Sequence, residues 1–504
     1  MSQISVSNLT FAYDGAYDNI FENVSFQIDT DWRLGFVGRN GRGKTTFLNL
    51  LLGKYEYAGT ISASVDFEYF PFDVSQKDAL AADALEEIRP GCTDWEIRRE
   101  MSLLEVREDT LLRPFASLSN GERTKLMLAA LFLRENGFLL IDEPTNHLDA
   151  HGRRLVSRYL GSKRGFILVS HDRAFLDGCV DHILSINRAD IEIQRGNFSA
   201  WAANRELRDN FELAENEKLK KEVKRLEKTA REKAAWSDAA ESRKIGFDPS
   251  KTEKSMGRRP YEAAKSKKMM KRAKTIDARR QDAVEEKSKL LKNLETPEKL
   301  KLTRLDYHAS RLVTLEDVSV FRGGRRVCSG VSFDINRGDR VSLRGGNGSG
   351  KSSLLRLILG EDLEHTGQVN VATRLVISSV PQDTSSLGGS LSEYAEAHGL
   401  DESLFKAVLR KLDFSRTQFD KDMRDFSDGQ KKKALIADSL CRQAHLLIWD
   451  EPLNFVDVIS RMQIETLLLE YQPTILFVEH DEVFCEKIAL RTIDLDNGTD
   501  DDEI

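Results

Sequence analysis

Three groups of residues stand at spacings that suit binding and cleaving a nucleoside triphosphate. The run Gly38-Arg39-Asn40-Gly41-Arg42-Gly43-Lys44-Thr45-Thr46 is a glycine-rich phosphate loop. Gly38, Gly41 and Gly43, with Asn40 between them, let backbone N–H groups wrap phosphate oxygens. The helix that follows, from Phe47 to Leu51, offers its positive N-terminus. Lys44 would reach the β and γ phosphates, and the Thr45 hydroxyl would bind Mg²⁺. Further on, Phe138-Leu139-Leu140-Ile141-Asp142-Glu143 is an apolar run ending in two carboxylates. Asp142 suits Mg²⁺ coordination; Glu143 suits positioning and deprotonating an attacking water. A third apolar run, residues 165–170, ends at His171-Asp172. An imidazole at a strand's C-terminal end can reach the γ-phosphate side of a site at the sheet edge. Taken alone, His171 also reads as a structural histidine.

The series occurs twice. Gly345-Gly346-Asn347-Gly348-Ser349-Gly350-Lys351-Ser352-Ser353 repeats the phosphate loop, residues 446–451 repeat the apolar run with Asp450 and Glu451, and Glu479-His480-Asp481 repeats the histidine. The offset is 307 residues between Lys44 and Lys351 and 309 between His171 and His480. An internal duplication holds that register; chance does not.

Such residues need elements to position them. Residues 3–8 alternate as a strand does, residues 34–37 form a short buried strand feeding the first phosphate loop, and Phe11-Ala12-Tyr13-Asp14 forms an aromatic shelf. Two further motifs, Leu118-Ser119-Asn120-Gly121-Glu122 and Phe426-Ser427-Asp428-Gly429-Gln430, each lie about 75 residues after a phosphate loop.

The order phosphate loop, LSxGE, apolar strand with Asp-Glu, Pro144-Thr145-Asn146-His147-Leu148-Asp149, then histidine resembles the ATP-binding cassette (ABC) family. Two cassettes in one chain, joined by a long charged helical linker, resemble its ABC-F class. The resemblance implies an α/β fold of two P-loop cassettes, residues 1–200 and 301–504, joined by a long antiparallel α-helical hairpin at 201–300. Each cassette would carry a small antiparallel sheet and a helical subdomain. Two ATP molecules, with Mg²⁺, would be sandwiched head to tail. Site one would join Lys44, Thr45, Asp142, Glu143 and His171 to Ser427 and Gly429. Site two would join Lys351, Ser352, Gln382, Asp450, Glu451 and His480 to Ser119 and Gly121. Tyr13 and Phe321 would stack on adenine; packing into the core is the other reading of both. The linker of that class enters the ribosome at the tRNA exit site, so rRNA and tRNA are the implied partners of a monomer with paired cassettes.

The chain departs from the pattern at several places. Pro381-Gln382-Asp383 carries a glutamine, but the first cassette reads Pro71-Phe72-Asp73, and a phenyl ring cannot ligate Mg²⁺. The second cassette has Pro452-Leu453-Asn454-Phe455-Val456-Asp457 where the first has a PTNHLD form. Asp428 puts a carboxylate where a γ phosphate is expected, unless its side chain caps the following helix. No extra arm fits between the first phosphate loop and Ser119, and about 24 residues follow His480. This combination resembles the antibiotic-resistance subgroup that acts against lincosamides, streptogramins A and pleuromutilins.

The linker is a distinct physical object. Leu219, Val223, Leu226 and Ala230 form an apolar stripe on a charged helix, Gly246, Pro249, Gly257 and Pro260 break it, and Met269 to Leu294 resume it. Two antiparallel helices of roughly 35–45 residues, about 50–70 Å long, would meet at a tip near 245–260. From Arg243 to Arg280 there are 14 Lys and Arg against 4 Asp and Glu, on a chain whose net charge is −7. That concentration suits a phosphate backbone, while a solvated helix face is the plainer reading.

Composition narrows the class. With 504 residues and 40% apolar content the chain supports two or three cored domains. Five scattered cysteines without a CxxC pair predict reduced thiols in the cytoplasm, with no disulfide frame and no zinc site. No basic-then-apolar leader begins the chain and no 18-residue apolar run occurs. The leading expectation is an ATPase that binds the ribosome and protects it from antibiotics at the peptidyl-transferase centre. A housekeeping translation factor of the same class, a soluble ATPase subunit of a membrane permease and a DNA-maintenance ATPase are the alternatives.

Overall fold

The computed structural model describes residues 2–13, 19–134, 136–146, 148–186, 191–245, 304–346, 348–385, 387–415 and 418–495, with residues 267, 268, 271, 275, 278 and 302. Two compact units result: Met1–Trp201 together with Pro297–Ile504, and Ala202–Thr296. Both halves of the duplication therefore belong to one unit.

The first half runs β1 (Gln3–Phe11), β2 (Phe21–Asp29), β3 (Arg33–Gly38), α1 (Lys44–Leu51), β4 (Ala58–Ser62), β5 (Asp66–Phe70), α2 (Ala81–Ile88), α3 (Asp94–Leu103), α4 (Asn120–Leu131), β6 (Gly137–Asp142), α5 (Ala150–Gly161), β7 (Phe166–Val169), α6 (Arg173–Cys179), β8 (His182–Ile186) and β9 (Ile191–Arg195). A long helix, α7 (Phe198–Ile245), leaves it. The second half runs β10 (Arg311–Arg322), β11 (Arg325–Asn336), β12 (Arg340–Arg344), α8 (Lys351–Ile358), β13 (His365–Val371), β14 (Ile377–Val380), α9 (Leu391–Ala397), α10 (Glu402–Lys411), α11 (Asp428–Cys441), β15 (Leu446–Asp450), α12 (Val458–Tyr471), β16 (Ile475–Val478), α13 (Glu482–Ile488) and β17 (Arg491–Asp494).

Each half has an antiparallel three-stranded sheet, ordered β2-β1-β4 and β11-β10-β13. Each also has a larger sheet, ordered β5-β6-β7-β3-β8-β9 and β14-β15-β16-β12-β17. The larger sheets are parallel apart from the β8–β9 pair. Phe166-Ile167-Leu168-Val169 and Ile475-Leu476-Phe477-Val478 are buried at every position. A parallel strand covered on both faces demands such an unbroken apolar run. Both phosphate loops leave the C-terminal end of a central strand, β3 or β12. Both Asp-Glu pairs leave β6 or β15, separated from that strand by β7 or β16, whose C-terminal end carries the histidine, so the chemistry collects at one sheet edge.

Ser119 and Ser427 start α4 and α11 with reciprocal capping boxes, closed by Glu122 and Gln430. The cap of α11 is thus Ser427. Asp428 is the first helical residue and does not cap, so that reading of its carboxylate is corrected.

In the linker, α7 spans 48 residues, about 70 Å at 1.5 Å per residue. It begins inside the first half, where Trp201 is buried with its ring centroid 5.4 Å from that of Phe198. The expected tip at 245–260 and most of the second linker helix lie outside the described residues; positions 267, 268, 271, 275 and 278 are helical.

Candidate functional site

The two phosphate loops end alike. Gly43 (φ 93°) and Gly350 (φ 85°) precede α1 and α8 in the left-handed region. A Cβ on Gly43 would come within 2.5 Å of Ile20, so both backbone and space require glycine. Lys44 Nζ donates to the carbonyls of Gly38 (2.6 Å) and Arg39 (3.3 Å) and to Asn40 Oδ1 (3.4 Å). Lys351 Nζ donates to Gly345 (2.9 Å) and Gly346 (2.7 Å). Each ammonium is folded onto its own loop, against backbone carbonyl acceptors. Burial pushes the Lys44 pKa down, against the pull of Asp457, Glu143 and Asp142.

The helix-start hydroxyls meet the strand-end carboxylates. Thr45 Oγ1 donates to Asp142 (3.3 Å) and Ser352 Oγ to Asp450 (3.2 Å). Hard oxygen donors paired in this way suit Mg²⁺. Next to each Asp, the glutamate takes a positive φ, 50° at Glu143 and 47° at Glu451. Non-glycine residues seldom adopt that conformation. A backbone bond holds each one there: Glu143 N donates to Val169 O (2.9 Å), and Glu451 N to Val478 O (3.0 Å). In both centres the glutamate carboxylate faces the histidine. Nε2 of His171 lies 3.3 Å from Glu143 Oε1, and Nε2 of His480 lies 3.3 Å from Glu451 Oε1.

Beyond this shared frame the two centres differ. Glu451 Oε2 accepts from Gln382 (2.9 Å) and Asn454 (2.7 Å). These bonds and His480 hold its carboxyl below the ordinary range, with the histidine contributing most. Glu143 Oε1 is buried and lacks a hydrogen bond despite the nearby imidazole. Burial, reinforced by Asp142, pushes Glu143 up to about 8. Burial also drives His171 well below its ordinary value, helped by Lys44 and Arg461.

The first centre is built by both halves. A cavity of about 540 Å³ brings Tyr13, the loop from Asn40 to Thr46, Asp142, Glu143 and His171 together with Ser427, Asp428, Gly429 and Phe455. Asn40 Nδ2 donates to Phe455 O (2.7 Å). A Cβ on Gly429 would sit 2.3 Å from that carbonyl and 2.8 Å from Asn40 Nδ2. The signature turn, the phosphate loop and the second half's acidic-strand loop therefore meet with no space for a methyl group.

One family model matches the chain twice. Described as ABC transporter, it matches residues 21–146 and 328–454, together half of the chain. The chain belongs to the ABC family. Its paired cassettes and full-length relatives place it in the ABC-F class. It is 28% identical to "Ribosome protection protein VmlR" of Bacillus subtilis, over 98% of this chain and 87% of that protein. It is 26% identical to "Energy-dependent translational throttle protein EttA" of Haemophilus influenzae, over 94% and 89%. "ATP-binding protein Uup" of Caulobacter vibrioides is 27% identical, over 96% and 76%. Among solved structures, "RNase-L Inhibitor" aligns with a TM-score of 0.63 at 18% identity, over 97% of this chain and 87% of that one, a likeness of fold. Among the described residues, no helix is long and apolar enough to cross a membrane.

The remaining residues singled out in this ABC-F chain fall as follows. Thr46 Oγ1 lies 2.9 Å from the Tyr13 hydroxyl, and Tyr13 packs edge-on against Phe11 and Tyr55. It lines the cavity and is exposed, so it is not part of the core. Phe321 sits at the end of β10, partly buried, opposite Arg326. Gly348 has φ 87°, Ser353 follows Ser352 in α8, and Asn347 and His147 lie outside the described residues. Ser119 and Gly121 stand at the start of α4.

Several residues escaped the sequence reading. Tyr69, in β5, donates its hydroxyl to Asp142 Oδ2 (3.0 Å). Asp457, fully buried, caps α12 through Ser460 N (2.9 Å) and pairs with Lys433 (2.7 Å). Burial opposes its charge, but the Lys433 ammonium, with Lys44 and Arg39 nearby, holds the carboxyl far below the ordinary range. Arg173, from across the cassette boundary, and Arg461, from the same cassette, converge on Asp481. The only sequence signals were an aromatic three residues before Phe72 and the aspartate ending the loop after each acidic strand (the D-loop, residues 144–149 and 452–457).

Proposed function

We propose that this chain is an ATPase that binds the ribosome and protects its peptidyl-transferase centre from lincosamides, streptogramins A and pleuromutilins. ATP would be hydrolysed at two composite sites, one between Lys44 and Ser427 and the other between Lys351 and Ser119. The cavity that joins the Lys44 loop to the Ser427 turn carries the catalytic half of this reading.

The residues present fit the nucleotide and the metal. The buried Glu143 Oε1 without a hydrogen bond is an acceptor awaiting a donor. Thr45 with Asp142, and Ser352 with Asp450, would hold Mg²⁺, which when bound neutralises charge on the phosphates. Lys44 and Lys351 would exchange loop carbonyls for phosphate oxygens. Gly41 and Gly43, like Gly348 and Gly350, leave backbone N–H groups free to approach. Ser427 and Gly429 would close on the γ phosphate of site one. Glu143 and Glu451 would orient the attacking water and take its proton, and His171 and His480 would fix the far end of that carboxylate. Tyr13 would offer its ring to the base.

Ribosome action is supported by the likeness to VmlR, a ribosome protection protein, and by the 14 basic residues against 4 acidic ones between Arg243 and Arg280. The likeness to EttA supports a second reading, a housekeeping translation factor. Cells with and without the chain, challenged with each drug class, separate the two. Protection that disappears in the E143Q/E451Q double variant supports the first. Unchanged susceptibility alongside altered translation supports the second. Absence of both ribosome co-sedimentation and ATP hydrolysis rejects both.

A further inference from the structure

The two metal carboxylates are supported differently. Proline follows both β5 and β14, at Pro71 and Pro381, which aligns Tyr69 with Ser379 and Phe72 with Gln382. The strand register agrees. Tyr69 pairs with Leu140, two residues before Asp142, and Ser379 pairs with Ile448, two residues before Asp450. At this shared position the second cassette has an exposed serine. The first has a phenol 3.0 Å from Asp142 Oδ2, the oxygen that also accepts from Thr45 at 3.3 Å. Lys54 Nζ lies 5.4 Å from the centre of the Tyr69 ring, over its face, and steadies it.

Gln382 spends its amide on Glu451, at 2.9 Å. Phe72 has no donor to spend, and Glu143 Oε1 has no hydrogen bond. Lost polar support at the loop thus coincides with gained polar support three residues earlier, in the strand. The gain falls on the aspartate instead of the glutamate.

We infer that Tyr69 is the positioning residue of site one, orienting the Asp142 carboxylate toward the metal in a cassette that lacks the loop glutamine. The inference rests on reading site one as an ATP–Mg²⁺ site. The phenol donates to one carboxylate oxygen, which would fix the plane of the group and leave its remaining lone pairs available to the cation. Outer-shell donors of this kind tune metal affinity by roughly 10–100-fold. Site one would then depend on a phenol and site two on an amide, so the two centres should respond differently to metal concentration.

The test is a Mg²⁺ titration of fluorescent ATP-analogue binding to the full chain carrying K351A, which confines triphosphate binding to site one. Adding Y69F should raise the Mg²⁺ midpoint about tenfold or more, with metal-free analogue affinity within about twofold of the parent. A role in packing alone would move both quantities or neither. Y69F should add nothing in a D142N background, because its effect passes through that carboxylate. Supplying the loop amide with Y69F/F72Q should recover part of the loss. Should Y69F fail to fold, Y69Q (a donor) against Y69L (no donor) decides, with the midpoint kept in the first and lost in the second. A Y69F midpoint within twofold of its parent overturns the inference and leaves the site reading intact. A parent without Mg²⁺-dependent binding overturns the site reading, and the inference with it.

Discussion

Arg173, the first residue of α6, reaches out of its own cassette and pairs with Asp481 of the other at 3.2 Å. Both side chains are almost wholly buried, at 4% and 1% exposure. Glu465 pairs with the same guanidinium, and Arg461 shares Asp481 at 3.2 Å. Arg173 follows the site-one histidine by two residues, and Asp481 follows the site-two histidine by one. R173M leaves two carboxylates buried with reduced compensation. Breaking a buried pair on one side costs about 3–5 kcal/mol. Denaturant unfolding of R173M should therefore shift well below wild type. Superimposable curves would show that the pair contributes little.

The glutamates should matter to unequal degrees. Losing a positioned base costs about 10²–10⁴ in rate, so E143Q/E451Q should bind ATP and barely turn over. Glu451 is held by Gln382, Asn454 and His480, whereas Glu143 Oε1 is unsupported. The single variants E143Q and E451Q should therefore keep different residual rates in steady-state hydrolysis. Matching rates would argue that Phe72 and the changed D-loop are neutral.

Acidity separates the sites further. Glu143, raised to about 8, is protonated at neutral pH and becomes a base only as pH rises through that value. Glu451, held low, is ionised throughout. In the E451Q background, kcat/KM should climb from pH 6.5 through about pH 8 and level off only about one pH unit above that, since this ratio reports the free protein's groups. In the E143Q background it should be nearly flat over that window. Parallel profiles would contradict the assignment.

Glycine 429 provides a steric test. In G429A the new methyl meets Phe455 O at 2.3 Å and Asn40 Nδ2 at 2.8 Å, and backbone oxygen cannot swing away as a side chain can. Closure at site one should fail, with ATP-driven compaction reduced in small-angle scattering and turnover down at least about tenfold. Thermal stability should change little. Wild-type turnover would mean that the cassettes need not approach this closely.

The linker tip is open to surgery. Replacing residues 245–260 with a short Gly/Ser turn should spare ATP hydrolysis and abolish drug protection. Neutralising Lys265, Lys267, Lys268, Lys271, Arg272 and Lys274 should flatten the salt dependence of ribosome co-sedimentation. Full protection by the shortened chain would locate the working end elsewhere.

What could be read in advance followed from locality. A phosphate loop, its following helix and an acidic strand end are short contiguous signals, and parallel strands place their C-terminal ends side by side. Lys44, Thr45, Asp142 and Glu143 could be assembled on paper for that reason. The Tyr69 hydroxyl could not, because its partner depends on which strand neighbours β5. Arg173 with Asp481, and Asn40 with Phe455, are separated by 308 and 415 residues. Such partners are chosen by how two cassettes dock, which no local pattern encodes. Asp428 misled for the opposite reason, since an acidic residue beside a helix start resembles a cap when a serine one position earlier already fills that role.

The Phe455 loop also records ancestry. Asn454 holds the glutamate of one cassette, and the next carbonyl is held by the asparagine of the other, whose side-chain oxygen accepts from Lys44. A change at this loop is therefore inherited by two active centres at once. The halves began as copies, yet His147 occupies the position that Phe455 holds in its twin. A chimera with two first halves would lack Phe455 at this join, and one with two second halves would lack the Tyr69 phenol. Recombination that exchanges a single half between relatives should thus be selected against more strongly than exchange of the whole gene.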